Sequence, residues 1–268
     1  MHTDKYYDKV MQSIDDWKKR LFEQYGQHHI MNITLYGSQN YNLETENSDV
    51  DVKAIYVPSL KEGLFSEKRI SIELHNEKNE HCELKDVREM FKMYKKQNLN
   101  FLETLYTKYR WDNNDYNKVS DTINCYKYLL ANYNINAGKK SISGQALNTL
   151  KQFRANPSDL KKLAKILHLY LFLEKRNYIE NYSDCYYVTN EDTVLGYNAY
   201  SLLISLKNNK LPPSLTGESL KTIIDFLEDF FIRTLNICAV TNENSYDVDK
   251  IFEDVIFEAI LICDSLEN

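Results

Sequence analysis

The sequence predicts an α/β protein of the α+β kind, with a small mixed β-sheet and flanking helices followed by an all-helical second half. Two observations support this fold class. Apolar and polar residues alternate in short segments between residues 31 and 85, which is typical of strands. Beyond residue 115 the apolar residues recur with a helical period instead. We therefore expect a core domain over residues 1–112 and a helical C-terminal domain over residues 113–268.

The first half is predicted to begin with a helix over residues 4–25, where apolar residues recur every three or four positions. Pro58 is expected to end the second strand, because proline cannot donate to a sheet ladder. From Asp86 onward the pattern becomes helical again. The predicted strands cover residues 31–37, 49–57, 69–74 and 81–85.

The second half contains strong start signals for two of its helices. The segments Asn156–Asp159 and Thr216–Ser219 are rich in residues that cap helix N-termini. The Pro212-Pro213 pair marks a loop between two helices. The predicted helices cover residues 117–133, 143–154, 158–178, 196–207, 217–239 and 247–266.

Composition restricts the class of protein. The chain of 268 residues is 43% hydrophobic and 27% charged, as in an ordinary globular protein. A formal net charge of −6 disfavours a general nucleic-acid binder held by a basic surface. The five cysteines are scattered without a C-x-x-C pair, which favours reduced thiols. Because the N-terminus lacks a hydrophobic signal core and no run of about 18 apolar residues occurs, we expect a cytoplasmic protein without a membrane partner.

Two aspartates stand one residue apart inside a predicted strand. Asp49 and Asp51 are expected to project from the same face, since strand side chains alternate. Two neighbouring carboxylates repel each other, and a purely structural strand gains nothing from the arrangement. A Mg²⁺ ion would instead take their oxygens together with substrate phosphates. Lys53 shares this face, where it could offset the carboxylate charge, contact phosphates or form an ion pair.

The Gly37-Ser38 pair ends the preceding predicted strand. A glycine there allows a phosphate to approach the backbone closely, and the serine adds a hydroxyl and an N–H donor. A phosphate site a dozen residues ahead of a carboxylate pair is the layout expected for a nucleoside triphosphate with its metal. The chain has no G-x-x-x-x-G-K-[ST] motif, which argues against a P-loop kinase.

At these residues the chain resembles the nucleotidyltransferase superfamily typified by DNA polymerase β, in which a G-S motif precedes a D-x-D pair and a third acidic residue. The sequence pattern looks closest to that of the predicted nucleotidyltransferases associated with RNA-repair ligases. The resemblance covers about residues 30–107. The segment Gln97–Glu103 is the counterpart of a family G-N-P-N-x-x-E-like segment. The family's usual second glycine is Asn42 here, and asparagine tolerates the left-handed region better than most residues.

The resemblance implies a set of metal ligands. Asp49 and Asp51 would hold Mg²⁺ or Mn²⁺ on the nucleoside triphosphate. Asp51 and a third carboxylate would hold a second ion near the attacking hydroxyl. We choose Glu83 as that third carboxylate and keep Glu73 as the alternative, although the family usually has aspartate there.

The resemblance also implies nucleotide-binding residues outside the metal set. Ser48, as part of the S-D-x-D motif, would join Gly37 and Ser38. Lys53 is a further nucleotide-binding candidate because of the strand face that it shares with the aspartates. A basic residue or histidine on a C-terminal helix would face the nucleotide, for which Lys165, His168 and the neighbouring Lys161 are the candidates. The pair His28-His29 is expected to consist of surface residues rather than ligands.

The expected reaction is transfer of a nucleoside monophosphate from the triphosphate to an acceptor hydroxyl, with release of pyrophosphate. The acceptor is left open among an RNA 3′ end, a protein hydroxyl, a small molecule and another nucleotide. The alternative is a catalytically inactive, antitoxin-like binding module on the same fold. Such a module would be indicated by loss of the metal triad, whereas both aspartates are present. Sequence gives no prediction of the oligomeric state.

Overall fold

A computed structural model of the chain describes residues 4–45, 48–66, 68–178, 182–238 and 246–267. It has a mixed five-stranded sheet with helices on both faces, followed by a helical region, so the predicted fold class is confirmed. The strand order is β3-β4-β2-β1-β5, and β6 and β7 form a separate two-stranded ladder. The strands are β1 (Ile30–Tyr36), β2 (Asp51–Tyr56), β3 (Ser71–His75), β4 (His81–Asp86), β5 (Arg110–Asp112), β6 (Thr193–Val194) and β7 (Tyr197–Asn198).

The helices begin where the sequence supplies capping groups. The side chain of Ser59 accepts from the N–H of Glu62, and that of Asp86 accepts from the N–H of Arg88. The helices are α1 (Asp4–Tyr25), α2 (Leu60–Phe65), α3 (Val87–Lys95), α4 (Leu99–Leu102), α5 (Asn117–Asn132), α6 (Ile135–Ala155), α7 (Leu160–Arg176), α8 (Tyr182–Tyr186), α9 (Ala199–Lys207), α10 (Glu218–Cys238) and α11 (Tyr246–Glu267).

The apolar face of the sheet packs against the first helix. Val10, Ile14, Trp17 and Leu21 of α1 are fully or almost fully buried, as their helical spacing predicts. They form one hydrophobic cluster with inward-facing residues of β1, β2 and β4. Helix α1 thereby covers one side of the strands that carry the predicted motifs.

A second hydrophobic cluster contains residues from both halves of the chain. It includes Met31 and Ile55 from the sheet together with buried residues of α3 to α7 and of α9 to α11. Helices α6, α7 and α10 pack side by side, and α11 returns to contact α2, α3 and α5. The C-terminal helices therefore pack on the remaining face of the sheet, and α7 comes close to the end of β1. In the part of the chain that is described, no helix has the length and apolarity needed to cross a membrane.

Candidate functional site

One face of the sheet carries polar side chains where β1 ends. Tyr36 of β1 lies opposite Asp51 of β2, and Lys53 of β2 lies opposite Glu83 of β4. Directly opposed residues in a sheet point to the same side. The alternation expected for Asp51 and Lys53 is therefore confirmed, and Glu83 shares their face.

Asp51 is held by His81, a residue that the sequence prediction did not include. The Nδ1 atom of His81 lies 2.7 Å from Oδ1 of Asp51, and the Tyr36 hydroxyl hydrogen-bonds Nε2 of the same ring. The hydrogen bond with Asp51 raises the pKa of His81, whereas burial raises the pKa of Tyr36. The backbone N–H of His81 also lies 3.4 Å from Oδ1 of Asp51. Because these contacts use Oδ1, the second oxygen of Asp51 is available to a cation within the described site.

Glu83 is engaged by two lysines. Lys53 binds Oε2 of Glu83, and Lys85 lies 2.8 Å from Oε1. Burial acts to raise the pKa of Glu83, but the two lysines outweigh it and lower the pKa below its ordinary value. Lys53 is only 2% exposed, and burial lowers its pKa despite the carboxylate beside it. Both oxygens of Glu83 are therefore neutralised without a metal.

The predicted carboxylate triad is only partly assembled. Asp49 lies just before β2 with an exposed side chain, and Ser48 uses its hydroxyl to accept from the N–H of Thr45 at 2.8 Å. Among the described residues, the oxygens of Asp49, Asp51 and Glu83 do not form a group within 4.8 Å of one another. The exposed Asp49 side chain and the second oxygen of Asp51 are the carboxylate groups of this set that remain open to a hard cation such as Mg²⁺, which commonly takes one or two carboxylates plus phosphates. Glu83 does not fit as a second-metal ligand in this arrangement.

Glu73, the alternative third carboxylate, has a different environment from Glu83. It lies opposite Glu83 on β3, its side chain is 60% exposed, and Oε1 is 3.6 Å from Nε2 of His81. Its charge is thus less fully paired than that of Glu83, and it contacts the ring that binds Asp51.

The Gly37-Ser38 turn is held by a buried carboxyl group. Gly37 has φ 96°, a conformation that favours glycine, and its N–H donates to Oε2 of Glu103 at 3.0 Å. A 3-10 turn, Ser38–Tyr41, follows, and Asn42 closes it in the left-handed region with φ 62°, as the sequence predicts. The side chain of Asn40 also donates to Glu103 at 3.3 Å. Glu103 therefore fixes the conformation of the predicted phosphate-binding turn.

Glu103 is itself unusual for a glutamate. It is 2% exposed, and the Tyr41 hydroxyl, the Gly37 N–H and the Asn40 amide around it each act to lower its pKa. Burial raises the pKa of Glu103 to about 7, because the charged form is poorly solvated. A carboxyl group is therefore about half protonated at neutral pH beside the Gly37 N–H.

A cavity of about 240 Å³ brings distant parts of the chain together. Its wall includes Gly37 and Ser38 from the end of β1, Lys165 and His168 from α7, and the buried Glu103. Two further lysines line the same cavity, Lys161 of α7 and Lys207 at the end of α9. Three ammonium groups thus face one cavity of a protein whose net charge is −6. Such a cavity attracts an anion.

The cavity residues differ in the charge they can offer. Burial lowers the pKa of His168 to about 4, and its Nε2 atom hydrogen-bonds the Tyr186 carbonyl at 3.0 Å, so this histidine is neutral at pH 7. Burial also lowers the pKa of Lys207 to about 8, and its amine donates to the Leu43 carbonyl. Lys165 is exposed along much of its side chain, although the cavity wall lowers the pKa of its amine. The lysines rather than His168 therefore supply the positive charge.

A second cavity, of about 250 Å³, also has Glu103 in its wall. It is rich in tyrosine, and two of these residues lie at the end of α8. Tyrosine rings present flat surfaces suited to stacking. The four tyrosines in its wall are Tyr106, Tyr109, Tyr186 and Tyr187.

Three residues of this region were missed by sequence reasoning. Glu103 ends the segment that resembles the family's G-N-P-N-x-x-E, so a signal for it was present. His81 faces Asp51 only because β2 and β4 pair in parallel in one register, which no local pattern encodes. Lys207 is one of many lysines on amphipathic helices, and nothing in its surroundings in the sequence marks it.

Comparison with known proteins does not identify a family. No protein-family model matches the chain, and no curated protein matches it at a significant level.

We expect Glu83→Gln to lower the free energy of unfolding by about 3 kcal/mol, because it leaves the buried Lys53 without its partner. Chemical denaturation at pH 7 measures the change. The matched control is Glu73→Gln, whose exposed carboxylate should change the value by less than about 0.5 kcal/mol. Lys53→Met/Glu83→Gln should recover most of the loss, since an apolar side chain suits the burial. An unchanged free energy of unfolding in Glu83→Gln would contradict the assignment of the Lys53–Glu83 ion pair.

We also predict that the ionisation of Glu103 makes the free energy of unfolding depend on pH. In the unfolded chain this carboxyl group ionises near its ordinary value of 4.5, whereas the folded protein keeps the proton up to about pH 7. The folded state thus binds more protons in this interval, so the stabilisation is complete below about pH 4.5 and is lost as the pH rises through 7. Glu103→Gln should reduce the fall in unfolding free energy between pH 5 and 8 by roughly 2–3 kcal/mol.

Urea titrations at several pH values provide the measurement for Glu103. The exposed Glu191→Gln serves as the control and should follow the unmodified protein at every pH. If the free energy of unfolding changes equally with pH in the unmodified protein and in Glu103→Gln, then Glu103 ionises normally in the folded state.

Proposed function

We propose that this protein is a metal-dependent nucleotidyltransferase that moves a nucleoside monophosphate from a nucleoside triphosphate to an acceptor hydroxyl, releasing pyrophosphate. The observation that supports the proposal is the cavity that joins Gly37 and Ser38 to Lys161, Lys165 and Lys207. The order of its motifs, G-S and then D-x-D, and their resemblance to the polymerase β-like superfamily supply the reaction class.

The cavity suits a polyphosphate group for electrostatic reasons. Ser38 offers a hydroxyl group, and the three lysines offer ammonium donors, which form strong hydrogen bonds with phosphate oxygens. The neutral His168 packs against Tyr41, with ring centroids 4.5 Å apart, and shapes the wall without adding charge. Because an anion bound here disfavours the ionised form of Glu103, a protonated Glu103 is compatible with the phosphates.

Asp49 and Asp51 would hold the metal, Mg²⁺ or Mn²⁺, beside this cavity. When bound, the ion would offset phosphate charge and polarise the phosphoryl group that is transferred. His81 keeps the Asp51 side chain oriented through the 2.7 Å contact. Glu83 instead stabilises the buried Lys53, so the proposal does not extend to a second ion held by Asp51 and Glu83.

One observation favours a second candidate function. The pairing of Glu83 with Lys53 and Lys85 removes the expected third acidic ligand. A nucleotidyltransferase fold that retains the phosphate cavity without that ligand would bind a nucleotide and exert its effect through a partner. The transferase and the binding module would both bind a nucleotide in the cavity, but only the transferase would catalyse nucleotidyl transfer.

Nucleotide binding is tested by titrating each of the four nucleoside triphosphates into the protein with Mg²⁺. The Lys161→Gln/Lys165→Gln protein should bind at least about tenfold more weakly, since lost charge-assisted hydrogen bonds cost about 1.5 kcal/mol or more. Lys162→Gln is the matched control, because Lys162 pairs with Asp159 at 2.7 Å on the same helix and does not line the cavity. Equal affinities of the two variants would contradict the cavity assignment.

Transfer is tested with α-³²P-labelled triphosphates, Mg²⁺ or Mn²⁺, total RNA and cell lysate. We expect label in RNA, protein or a small product, and its loss in the Asp49→Asn/Asp51→Asn protein. The labelled fraction identifies the acceptor class. Metal-dependent binding without label in any fraction would favour the binding-module function, and absence of both binding and label would exclude both candidates.

A further inference from the structure

A second group of potential ligands lies away from the cavity, where β1 begins. His28 and His29 precede β1, and Glu267 lies at the end of α11. One ligand atom from each of the three side chains lies within 4.8 Å of the other two. The expectation of surface residues does not hold for His29, whose side chain is only 12% exposed, whereas that of His28 is 34% exposed.

We infer that His28, His29 and Glu267 form a binding site for a borderline transition-metal dication of the Zn²⁺ class. Two imidazole nitrogens and one carboxylate oxygen are typical ligands of zinc and are a poor set for Mg²⁺, which prefers oxygen. The inference concerns residues outside the proposed nucleotide site and does not depend on the proposed function.

The two ligand separations that involve Glu267 are close to those of tetrahedral coordination. Nε2 of His29 lies 3.1 Å from Oε1 of Glu267, and Nε2 of His28 lies 3.6 Å from the same oxygen. Ligands about 2.0–2.2 Å from a tetrahedral zinc ion are separated by about 3.4 Å. The two observed separations lie on either side of this value, and the ligand atoms of all three side chains lie within 4.8 Å of one another, so the group is compact enough for one ion with water as a fourth ligand.

The tautomer of His29 is fixed in the form that a metal requires. Its Nδ1 atom lies 2.8 Å from the carbonyl oxygen of Val57. A carbonyl oxygen only accepts, so Nδ1 carries the hydrogen and Nε2 of the neutral ring has a lone pair directed toward Glu267. A backbone carbonyl on the far ring nitrogen is the usual outer contact of a metal-bound histidine. Two acceptors facing each other at 3.1 Å require a proton or a metal ion between them.

The surrounding chain holds the histidine rings in place. Gly26 has φ 85°, and a Cβ atom there would lie 2.9 Å from the His28 ring, so glycine makes room for this side chain. The Tyr56 ring stacks on His29 with centroids 5.0 Å apart. The Tyr116 hydroxyl donates to the His28 carbonyl at 2.5 Å. The two imidazoles are thus oriented before an ion arrives, which favours binding.

A metal ion at this position would connect the last helix to the first strand of the sheet. Glu267 belongs to α11, which also places Cys263 with its Sγ atom 3.6 Å from the Val57 carbonyl. Because a ligand that binds only the folded state stabilises it, Zn²⁺ should raise the unfolding temperature.

The test uses full-length protein that has been treated with EDTA and dialysed, with ZnCl₂ as the titrant in calorimetry at pH 7.5. We expect one Zn²⁺ per chain and a Kd of roughly 1 µM or tighter. Co²⁺ should bind in its place and give the intense visible absorption of a tetrahedral site. His29→Ala and Glu267→Gln should each weaken binding at least about tenfold. The Glu267 side chain is 32% exposed, so Glu267→Gln serves even where His29→Ala fails to fold.

Two controls separate this site from other ligands in the chain. His75→Ala removes an exposed histidine on β3 and should leave the stoichiometry and Kd unchanged. Asp49→Asn/Asp51→Asn should also retain the zinc site, which distinguishes it from the proposed nucleotide site. Absence of stoichiometric Zn²⁺ binding, or equal affinity in Glu267→Gln, would overturn the inference and leave a protonated histidine paired with Glu267.

Discussion

The buried ammonium group of Lys53 is the constraint on which the candidate site depends. It lies on the central strand β2 with an exposed fraction of 2%, between the rings of Tyr36 and Phe101 at 3.9 and 4.1 Å. A charge in such a place costs several kcal/mol unless it is paired. Glu83 supplies the pairing charge, and the two aromatic faces supply further stabilisation. The polar face of the sheet is therefore arranged around this cation.

The influence of Lys53 extends to the phosphate turn through Phe101. Phe101 belongs to α4, and Glu103 follows it by two residues. A position of Phe101 over Lys53 therefore restricts where the Glu103 carboxyl group can lie, and that group accepts the Gly37 N–H. The same cation engages Oε2 of Glu83. One buried charge thus both engages the carboxylate that was expected to be the third acidic ligand and restrains the turn whose Gly37 and Ser38 line the cavity.

Most of the fold could be predicted because it follows local periodicity. The long helices α1, α5, α7 and α10 lie within a few residues of the predicted ranges. Strand β5 was missed because its three residues, Arg-Trp-Asp, are too few for their alternation to indicate a strand, and they pair only with β1. Of the site, the G-S turn could be read from the motif, and Lys165 and His168 were named through the resemblance alone. The Lys53–Glu83 and Asp51–His81 pairs could not be predicted from the sequence, because both depend on the register of two parallel strands.

The two candidate sites lie at opposite ends of β1. His29 immediately precedes the strand, and Gly37 immediately follows it, about 25 Å away at the usual rise per residue. Six of the seven strand residues are buried, so the strand is held along its length by the cores on its two faces. The ligand types also differ, with two imidazole nitrogens and one carboxylate at one end and carboxylates without imidazole ligands proposed near the other. Because the cores rather than either site fix β1, occupation of the histidine site should stabilise the fold while leaving the affinity of the lysine-lined cavity unchanged.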